Sequence, residues 1–416
     1  MWLYNPVIFF YRILILLASA FVPKAKKLNR AYKVWEKELS KQINNDCQWI
    51  WFHCSSSGEF EDGRMVLEAL RIKFHHHKFL LTFFSSTGYE AFKNTAVADA
   101  VSYLPIDTHA NAAKFLEIVK PQLAIFSRND IWANYLTQLQ QQKIPSVLIA
   151  FQFSEKSNFL KFPVRKFYKK LFNKFDFIFV QNAETAKLLV NRFHFLKTIV
   201  AGNPRIDRIV ERHKIKTEYP ALRKFSELSF CVIAGSMVKQ EQQIIIETVL
   251  KLIDLPIHWI LVPHEINNAD FIKAKSKLEN RMIAYSDIEN LNSNHKVVWI
   301  NAVGILPDLY QFAQVAFIGG GFSRMGIHNI LEPAVHGCSI CFGPNHRGYL
   351  EAIDLLKMKS AIIILSADEF EKWILKNYKN QSEVNVEGDK NRNYVFTNIG
   401  ATRIIVNELS KSYFKN

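Results

Sequence analysis

Cysteine is scarce in this sequence, with only five residues in a chain of 416. The number is odd and low for the length, which excludes a disulfide-stapled secreted scaffold and fits a reducing compartment. Cys338 and Cys341 form a C-x-x-C, but no second cysteine pair or nearby histidine completes the spacing of a metal site. We therefore interpret both as buried structural thiols in the strand-like run "HGCSICFGP".

Acidic residues are also outnumbered, since 38 Asp and Glu face 53 Lys and Arg and the net charge is +15. A basic surface favours anionic partners, namely nucleic acid, anionic lipid or a phosphorylated substrate. Zinc-finger spacing and aromatic RNA-binding runs are both missing, so we expect no nucleic-acid partner. A Walker-type lysine loop and an Asp-x-Asp signature at a strand end are missing too, and we expect neither a metal nor another cofactor.

One long hydrophobic run is present near the N-terminus, where residues 2–22 read "WLYNPVIFFYRILILLASAFV". The run is about long enough to cross a bilayer, and Arg12 is its only charged residue. A basic flank from Lys24 to Lys33 follows at once, which places the succeeding chain in the cytoplasm. We predict a membrane anchor over residues 1–27, either as a spanning helix or as a helix lying in the interface.

Short apolar runs alternate with helix-like stretches through the rest of the chain. One series begins at "QWIWFHCSSSGE" and closes near "TIVAGNPRID", and another begins at "SFCVIAGSM" and ends at "AIIILSAD". Buried strands alternating with helices indicate βαβ units and parallel sheets, so we predict an α/β fold in two halves. We place the first half over residues 28–207, a polar linker region over 208–229, and the second half over 230–416.

The turn after the first strand, "HCSSSGEFEDGR", carries the first candidate site. The small residues Ser56, Ser57 and Gly58 lead into a helix start, whose backbone N–H groups can bind an oxygen anion. Glu59 lies in the first turn, where a carboxylate is electrostatically favoured. Two interpretations stay open at this point: a glutamate that caps the helix, or a carboxylate that takes a proton from an alcohol.

The segment "FIGGGFSRMGIHNILEPAVHG", residues 317–337, carries the second candidate site. Its glycines allow positive φ and a close approach of the backbone to a ligand, although a tight turn without a ligand needs them as well. Asn329 is expected to cap the next helix, and Glu332 can hold two ribose hydroxyls. The candidate ligand-binding residues are Gly320, Gly321, His328, Asn329 and Glu332, joined by Arg205, Gly235, Ser236, His264 and Glu265 from other loops.

Taken together, "HCSSSGE", "AGNPRID", "AGS" with Glu241, "VPHE" and "GGGFSRMGIHNILEPAVHGCSICFGP" resemble the 3-deoxy-D-manno-octulosonic acid (Kdo) transferases of Gram-negative bacteria, which build the inner core of lipopolysaccharide. The resemblance runs from the N-terminal run to "GATRII". It implies the GT-B glycosyltransferase architecture, with two Rossmann-like domains facing a cleft and an N-terminal membrane-anchor helix. It also implies CMP-Kdo as the donor, a lipid A precursor as the acceptor, and the cytoplasmic side of the inner membrane as the location.

The resemblance assigns catalytic roles as well. Glu59 matches the proposed general base of an S-x-G-E motif, and Asp130 falls on the second acidic residue, usually Glu, of an E-x-E-x-W-P motif. The chain departs from the family where no proline follows Trp132, where Arg205 replaces a common Lys, and where "PHEI" replaces "PRHP", so that His264 stands in for an arginine. The ligand-binding residues of the second half, with Arg205, would hold CMP-Kdo, and the turn at Ser56, Ser57 and Gly58 would meet the acceptor.

Two other functions are kept as alternatives. A sugar-nucleotide epimerase of similar two-domain build would need neither an anchor nor an acceptor site. A catalytically inactive membrane-surface binding protein is the second alternative, and it is motivated by the altered residues at Asp130 and in "PHEI".

Overall fold

The computed structural model describes residues 4–227 and 229–414, and its chain divides into two compact units. The first unit comprises residues 1–208 and 399–416, and the second comprises residues 209–398. Residues 1–3 of the predicted anchor, residue 228 of the predicted linker, and residues 415–416 lie outside the described part of the chain.

The first unit is built on one parallel sheet, whose strand order in the described residues is β3-β2-β1-β4-β5-β6-β7. The strands are β1 (Trp49–Cys54), β2 (Lys78–Phe83), β3 (Ala100–Tyr103), β4 (Pro121–Ser127), β5 (Ser146–Phe151), β6 (Phe177–Val180) and β7 (Thr198–Val200). The helices are α1 (Tyr4–Ala18), α2 (Pro23–Gln42), α3 (Ser57–Lys73), α4 (Ser86–Phe92), α5 (His109–Val119), α6 (Ala133–Gln141), α7 (Val164–Phe172), α8 (Ala183–Leu188) and α9 (Pro204–Lys214), the last of which crosses into the second unit. A 3-10 turn (Asn158–Leu160) and a π-helical turn (Leu189–Phe193) complete the unit.

The second unit repeats this plan with the strand order β10-β11-β9-β8-β12-β13-β14 among the described residues. The strands are β8 (Phe230–Met237), β9 (Ile257–Pro263), β10 (Met282–Ala284), β11 (Val297–Trp299), β12 (Val315–Ile318), β13 (Ser339–Phe342) and β14 (Ala361–Ile363). The helices are α10 (Pro220–Glu227), α11 (Lys239–Leu252), α12 (Asn268–Leu278), α13 (Leu306–Leu309), α14 (Leu331–His336), α15 (Leu350–Lys357), α16 (Ala367–Lys379) and α17 (Gln381–Thr397), and α18 (Ala401–Tyr413) follows in the first unit. Short 3-10 turns cover Glu279–Arg281, Tyr285–Asn290 and Tyr310–Phe312.

Both faces of each sheet are buried, which explains the continuous apolar runs. In the first unit, Trp51 and Phe126 point into one core layer, while Phe52 and Ile125 point into the other. Alternate residues of a strand face opposite sides, so a strand covered by helices on both sides needs apolar residues throughout. The predicted parallel α/β fold in two halves is confirmed, and every apolar run quoted above that was predicted as a strand forms one.

The boundaries of the units differ from the predicted ones at two places. Residues 209–227 contain most of α9 and all of α10, whose Leu222 and Phe225 are buried, so this part of the predicted linker is folded and belongs to the second unit. The end of the chain returns to the first unit, because Ile405 and Leu409 of α18 pack in the same cluster as Val66. The predicted second half, 230–416, is therefore shortened at its C-terminal end.

The N-terminal helices α1 and α2 belong to the first unit and meet at a bend of 119°. Taken singly, none of the helices in the described residues has the length and apolar character needed to cross a bilayer; α1 and α2 meet that criterion only as a bent pair. One face of α1 packs on the unit through Ile8 and Ile15, and Tyr4 Oη donates to Oδ2 of the buried Asp107 at 2.6 Å. The other face exposes large apolar side chains, namely Val7, Phe9, Phe10, Leu14, Leu16 and Leu17.

Candidate active site

The first candidate site lies at the carboxyl edge of the first sheet. The strand order reverses its direction between β1 and β4, and ligands of open parallel sheets bind outside the carboxyl ends of strands at such a point. Ser55 to Glu59 directly follow β1, and Arg128 to Asp130 directly follow β4. The structure therefore brings the two predicted catalytic residues, Glu59 and Asp130, to the same edge.

Glu59 is held at the start of α3 by a capping box. The hydroxyl of Ser56 accepts a hydrogen bond from the Glu59 amide at 3.4 Å, and the Ser56 amide donates to Glu59 Oε2 at 2.9 Å. The Ser127 hydroxyl at the end of β4 donates to the Glu59 carbonyl at 2.8 Å, so the first turn of α3 is fixed to the neighbouring strand. The capping interpretation is confirmed, and it leaves a half-buried carboxylate at the edge of the sheet.

Asp130 and Glu59 act as a coupled pair. Asp130 is buried and accepts hydrogen bonds from both the amide and the hydroxyl of Ser55. Burial and the nearby Glu59 carboxylate raise the pKa of Asp130 well above its ordinary value. Burial also raises the pKa of Glu59, while hydrogen bonds from Ser56 and the positive charge of Arg128 lower it. Because burial and mutual repulsion disfavour two charges at this position, the pair favours a state in which the two carboxyls hold one proton between them.

A neutral histidine lies behind this pair. His53 is fully buried in β1, and burial lowers its pKa to about 3. Its Nε2 accepts a hydrogen bond from Trp132 Nε1 at 3.0 Å, which leaves the ring proton on Nδ1, 2.8 Å from the Thr82 hydroxyl. His53 Nε2 is 3.7 Å from Asp130 Oδ2, a contact that carries no ion pair when the ring is neutral. The sequence interpretation missed His53, although a histidine within the apolar run "WIWFHC" was the available signal.

A charged group that the sequence interpretation also missed lies one turn further along α3. Asp62 is 1% exposed, and its Oδ2 and Oδ1 atoms lie 2.9 and 2.6 Å from the Nε atoms of Arg128 and Arg205, in ionic contacts whose angles are not those of hydrogen bonds. Arg205 Nη2 donates to the Gly58 carbonyl at 3.0 Å. Arg205, predicted to bind a donor together with residues of the second half, therefore lies in the first unit beside Glu59.

The second candidate site lies at the carboxyl edge of the second sheet. Its strand order reverses between β8 and β12, as it does between β1 and β4 in the first. The loops at this edge bring together most of the predicted ligand-binding residues, namely Gly235 and Ser236 at the end of β8, His264 and Glu265 after β9, and Gly320, Gly321 and His328 after β12.

The glycine loop after β12 is packed against the protein's own backbone. A side chain at Gly320, where φ is +91°, would collide with the carbonyl of Gly326, and one at Gly321 would collide with the backbone of Gly343. The Gly320 and Phe322 amides donate to the carboxylate of the buried Glu241 at 2.8 and 3.1 Å. Tight packing thus accounts for these glycines, and the N–H of Gly320, which was predicted to bind a ligand, binds Glu241.

The remaining predicted residues flank this loop. The rings of His264 and His328 stack with centroids 4.5 Å apart, and burial lowers the pKa of His328 to about 4. Asn329 Oδ1 accepts from the amide of Leu331, the first residue of α14, at 3.1 Å, but the residue at the cap position is Ile330 and not Asn329 as expected. Its Nδ2 donates to Glu332 Oε1 at 2.9 Å, which fixes the carboxylate at the start of that helix.

Solved structures share the fold of this chain at low sequence identity. A putative UDP-N-acetylglucosamine 2-epimerase from Listeria monocytogenes superposes with a TM-score of 0.61 and 12% identity over 89% of this chain and 98% of its own. Acinetobacter baumannii MurG superposes with a TM-score of 0.56 and 10% identity over 88% and 99%. Identities this low show the fold alone, and they confirm the GT-B architecture of two Rossmann-like domains.

Sequence comparisons show a more specific similarity. Residues 26–208 match the family model described as 3-Deoxy-D-manno-octulosonic-acid transferase (kdotransferase). A bifunctional glycosyltransferase/methyltransferase from Fusobacterium nucleatum is 26% identical over 90% of this chain, which spans only 60% of that relative's length. The 3-deoxy-D-manno-octulosonic acid transferase of Aquifex aeolicus is 27% identical over 75% of this chain and 81% of its own, and that of Haemophilus influenzae is 25% identical over 74% of each. The matched domain and these relatives, with the motifs at Glu59 and Gly320, show that the chain is similar to the Kdo transferases over most of its length.

Proposed function

We propose that this protein is an inverting glycosyltransferase that moves Kdo from CMP-Kdo to a lipid A precursor in lipopolysaccharide biosynthesis. The observation that carries the proposal is the coupled pair of Glu59 and Asp130 at the edge of the first sheet, inside the segment matched by the family model. A half-buried carboxylate beside a protonated acid is suited to accept a proton from a sugar hydroxyl.

Glu59 is the general base in this scheme. It removes the proton of the acceptor hydroxyl while the acceptor oxygen bonds to the anomeric carbon of Kdo and the bond from that carbon to the phosphate oxygen breaks. CMP leaves with the electron pair, and attack from the opposite face inverts the anomeric centre. Asp130 keeps its own proton, so that no second negative charge opposes the ionised form of Glu59.

The second unit would hold CMP-Kdo at the edge of its sheet. Ser236 lies near the end of β8, which pairs with β12, His264 directly follows β9, and His328 stacks on His264. We assign Glu332 to the ribose hydroxyls, because Asn329 binds one of its oxygens and fixes its orientation. Glu241 would act on the donor only through the loop, since its carboxylate is engaged with backbone amides.

We further propose that α1 lies in the cytoplasmic interface of the inner membrane. One face of the helix is occupied by contacts to its own unit, while the opposite face is apolar and exposed, as in helices that lie in the interface. Tyr4 stacks on Phe167 of α7, and α7 contributes Lys166, Lys169 and Lys170 nearby. Lysines next to an apolar face favour an anionic lipid surface.

The test is an assay of the purified full chain with CMP-Kdo and an acylated, phosphorylated glucosamine disaccharide, read by mass spectrometry. We expect the acceptor to gain the mass of Kdo and CMP to be released only when acceptor is present. A parallel incubation with UDP-N-acetylglucosamine alone tests the epimerase alternative. An epimer there, or no mass gain on the acceptor with CMP-Kdo binding intact, would contradict the proposal.

A further inference from the structure

Two arginines beside Glu59 are held by one buried carboxylate. Asp62 follows Glu59 by three residues on α3, a spacing that places both side chains on neighbouring positions of one helix face. Arg128 comes from the loop after β4 and Arg205 from the start of α9, and both contact Asp62 through their Nε atoms. Asp62 balances only one of the two guanidinium charges, and Arg128 also lies close enough to Glu59 to lower the pKa of that carboxyl.

Both guanidinium groups keep donors that can meet a ligand. Within residues 4–227 and 229–414, the terminal nitrogens of Arg128 make no hydrogen bond, and its side chain is 29% exposed. Arg205 uses Nη2 once, toward the Gly58 carbonyl, and its side chain is 22% exposed. A guanidinium group carries five N–H donors. Several of these donors remain on the terminal nitrogens of each arginine, on the side that faces away from Asp62.

The backbone at Arg128 is strained in a way that fixes this arrangement. Its φ of 58° is in the left-handed region, which costs a residue with a side chain about 1–2 kcal/mol. The strain is held by hydrogen bonds on both sides, from the Arg128 amide to the Ile149 carbonyl at 2.8 Å and from the Ser127 hydroxyl to the Glu59 carbonyl at 2.8 Å. Conformations of this kind persist where the surroundings impose them, often at ligand sites.

We propose that Arg128 and Arg205, oriented by Asp62, form an arginine clamp for a phosphate monoester of the acceptor, next to the hydroxyl that Glu59 deprotonates. The inference rests on the proposed function and adds the residues that bind the phosphate of the acceptor. Asp62, which orients the clamp, shares helix α3 with Glu59, so the clamp positions whichever substrate Glu59 deprotonates, and that is the acceptor. Two planar forks match the several oxygens of a phosphate dianion better than a single ammonium group does.

The clamp is tested with two acceptors that differ only in whether they carry phosphate. Transfer from CMP-Kdo is measured with the phosphorylated glycolipid and with the same glycolipid after phosphatase treatment, for wild type, Arg128→Gln, Arg128→Lys and the control Arg192→Gln, which alters an exposed arginine of the same unit. We expect Arg128→Gln to lower kcat/KM about 10- to 100-fold with the phosphorylated acceptor, the weight of a charge-assisted contact, and less than about threefold with the other. Arg128→Lys should fall between, and Arg192→Gln should match wild type.

Three results would overturn the clamp: an equal loss on both acceptors, no loss on either, or a raised KM for CMP-Kdo with an unchanged KM for the acceptor. A separate measurement covers the case in which wild type transfers no Kdo and the proposed function itself fails. Inorganic phosphate should then raise the unfolding temperature of wild type and Arg192→Gln in a dose-dependent way, but not that of Arg128→Gln. Equal shifts in all three proteins, or no shift in any, would refute an anion site at Arg128 whatever the reaction.

Discussion

Two glutamates occupy the same position in the two units and have different environments. Glu59 is the third residue of α3 and Glu241 is the third residue of α11, and each helix follows the strand beside which its sheet reverses order. Each carboxylate accepts the backbone N–H of the residue three positions earlier, from Ser56 and from Val238, at 2.9 Å in both cases. By local geometry the two are the same helix-start motif.

The neighbouring loop decides what each glutamate does. In the second unit the loop after β12 adds the Gly320 and Phe322 amides, so Glu241 is fully buried and bound by three backbone donors. In the first unit the loop after β4 supplies side chains instead, and Glu59 is half-buried beside Asp130 and Arg128. Glu241 therefore stabilises a backbone turn, while Glu59 is a carboxylate that can still exchange a proton.

The largest expected effect is on catalysis at Glu59. Glu59→Gln keeps the size of the side chain and a carbonyl oxygen for the Ser56 amide, but it removes the ability to take a proton. We expect kcat for Kdo transfer to fall about 10²–10⁴-fold, the usual weight of a general base. The rate is measured by mass spectrometry, with CMP-Kdo binding and the unfolding temperature as controls. Near-normal turnover in a folded variant would show that Glu59 is not the base.

The next largest effect is on stability at Glu241. Glu241→Ala leaves three backbone N–H groups without this acceptor, one of them buried and two part-buried, and we expect a loss of about 3 kcal/mol in the free energy of unfolding. Glu59→Ala should cost only about 1 kcal/mol, because it removes one capping contact at a half-buried position. Denaturant unfolding of both variants measures the difference. If the two losses were equal, the two glutamates would not differ in the way described.

A smaller effect is expected at Asp130, where the neutral form is the one that the folded protein favours. Asp130→Asn keeps an acceptor for Ser55 and a donor toward Glu59, so kcat should stay within about tenfold of wild type. Because the folded-state pKa of Asp130 is raised, the native protein holds a proton that the unfolded chain loses above roughly pH 4, and stability falls as pH rises through that window.

The pH dependence of the free energy of unfolding tests this prediction for Asp130. Unfolding free energies of wild type and Asp130→Asn are compared from pH 4 upward, and the variant should lack a decline of up to about 1.4 kcal/mol per pH unit. Glu59→Gln, measured alongside, controls for the coupled partner. A variant that loses as much activity as Glu59→Gln, or that keeps the full decline of wild type, would contradict a protonated Asp130.

Much of the fold and one half of the candidate site could be predicted from the sequence. Parallel strands buried on both faces read as apolar runs, and a turn of small residues followed by Glu59 is a local signal of three or four residues. The return of α18 to the first unit could not be predicted, because it depends on contacts such as Asp207 accepting the Gly400 and Thr402 amides at 2.6 Å, nearly 200 residues away.

The site residues that the sequence interpretation missed were missed for the same reason, because their contacts join distant segments of the chain. Asp62, Arg128 and Arg205 come from three separate segments, and none has a spacing that marks it as part of a charged group. The role of Glu241 was missed because its partners, Gly320 and Phe322, follow a different strand. The glycine signal was interpreted as room for a ligand, whereas the space next to Gly320 and Gly321 is filled by backbone of the same unit.

The smallest expected effects concern the two residues that precede these helices. Ser56 caps α3 with its hydroxyl, so Ser56→Ala should cost about 1 kcal/mol, whereas Val238 offers α11 no side-chain acceptor, so Val238→Thr should add about 0.5 kcal/mol at nearly constant volume. Unfolding free energies measure both, and Ser57→Ala serves as a control within the same turn. If the two helix starts differ only in the residue at the cap position, Ser56→Ala and Val238→Thr must change the free energy of unfolding in opposite directions. A loss at Val238→Thr would instead show that the Glu241 carboxylate already leaves no room for a second acceptor, so that burial around Glu241, and not the missing cap, sets the stability of that turn.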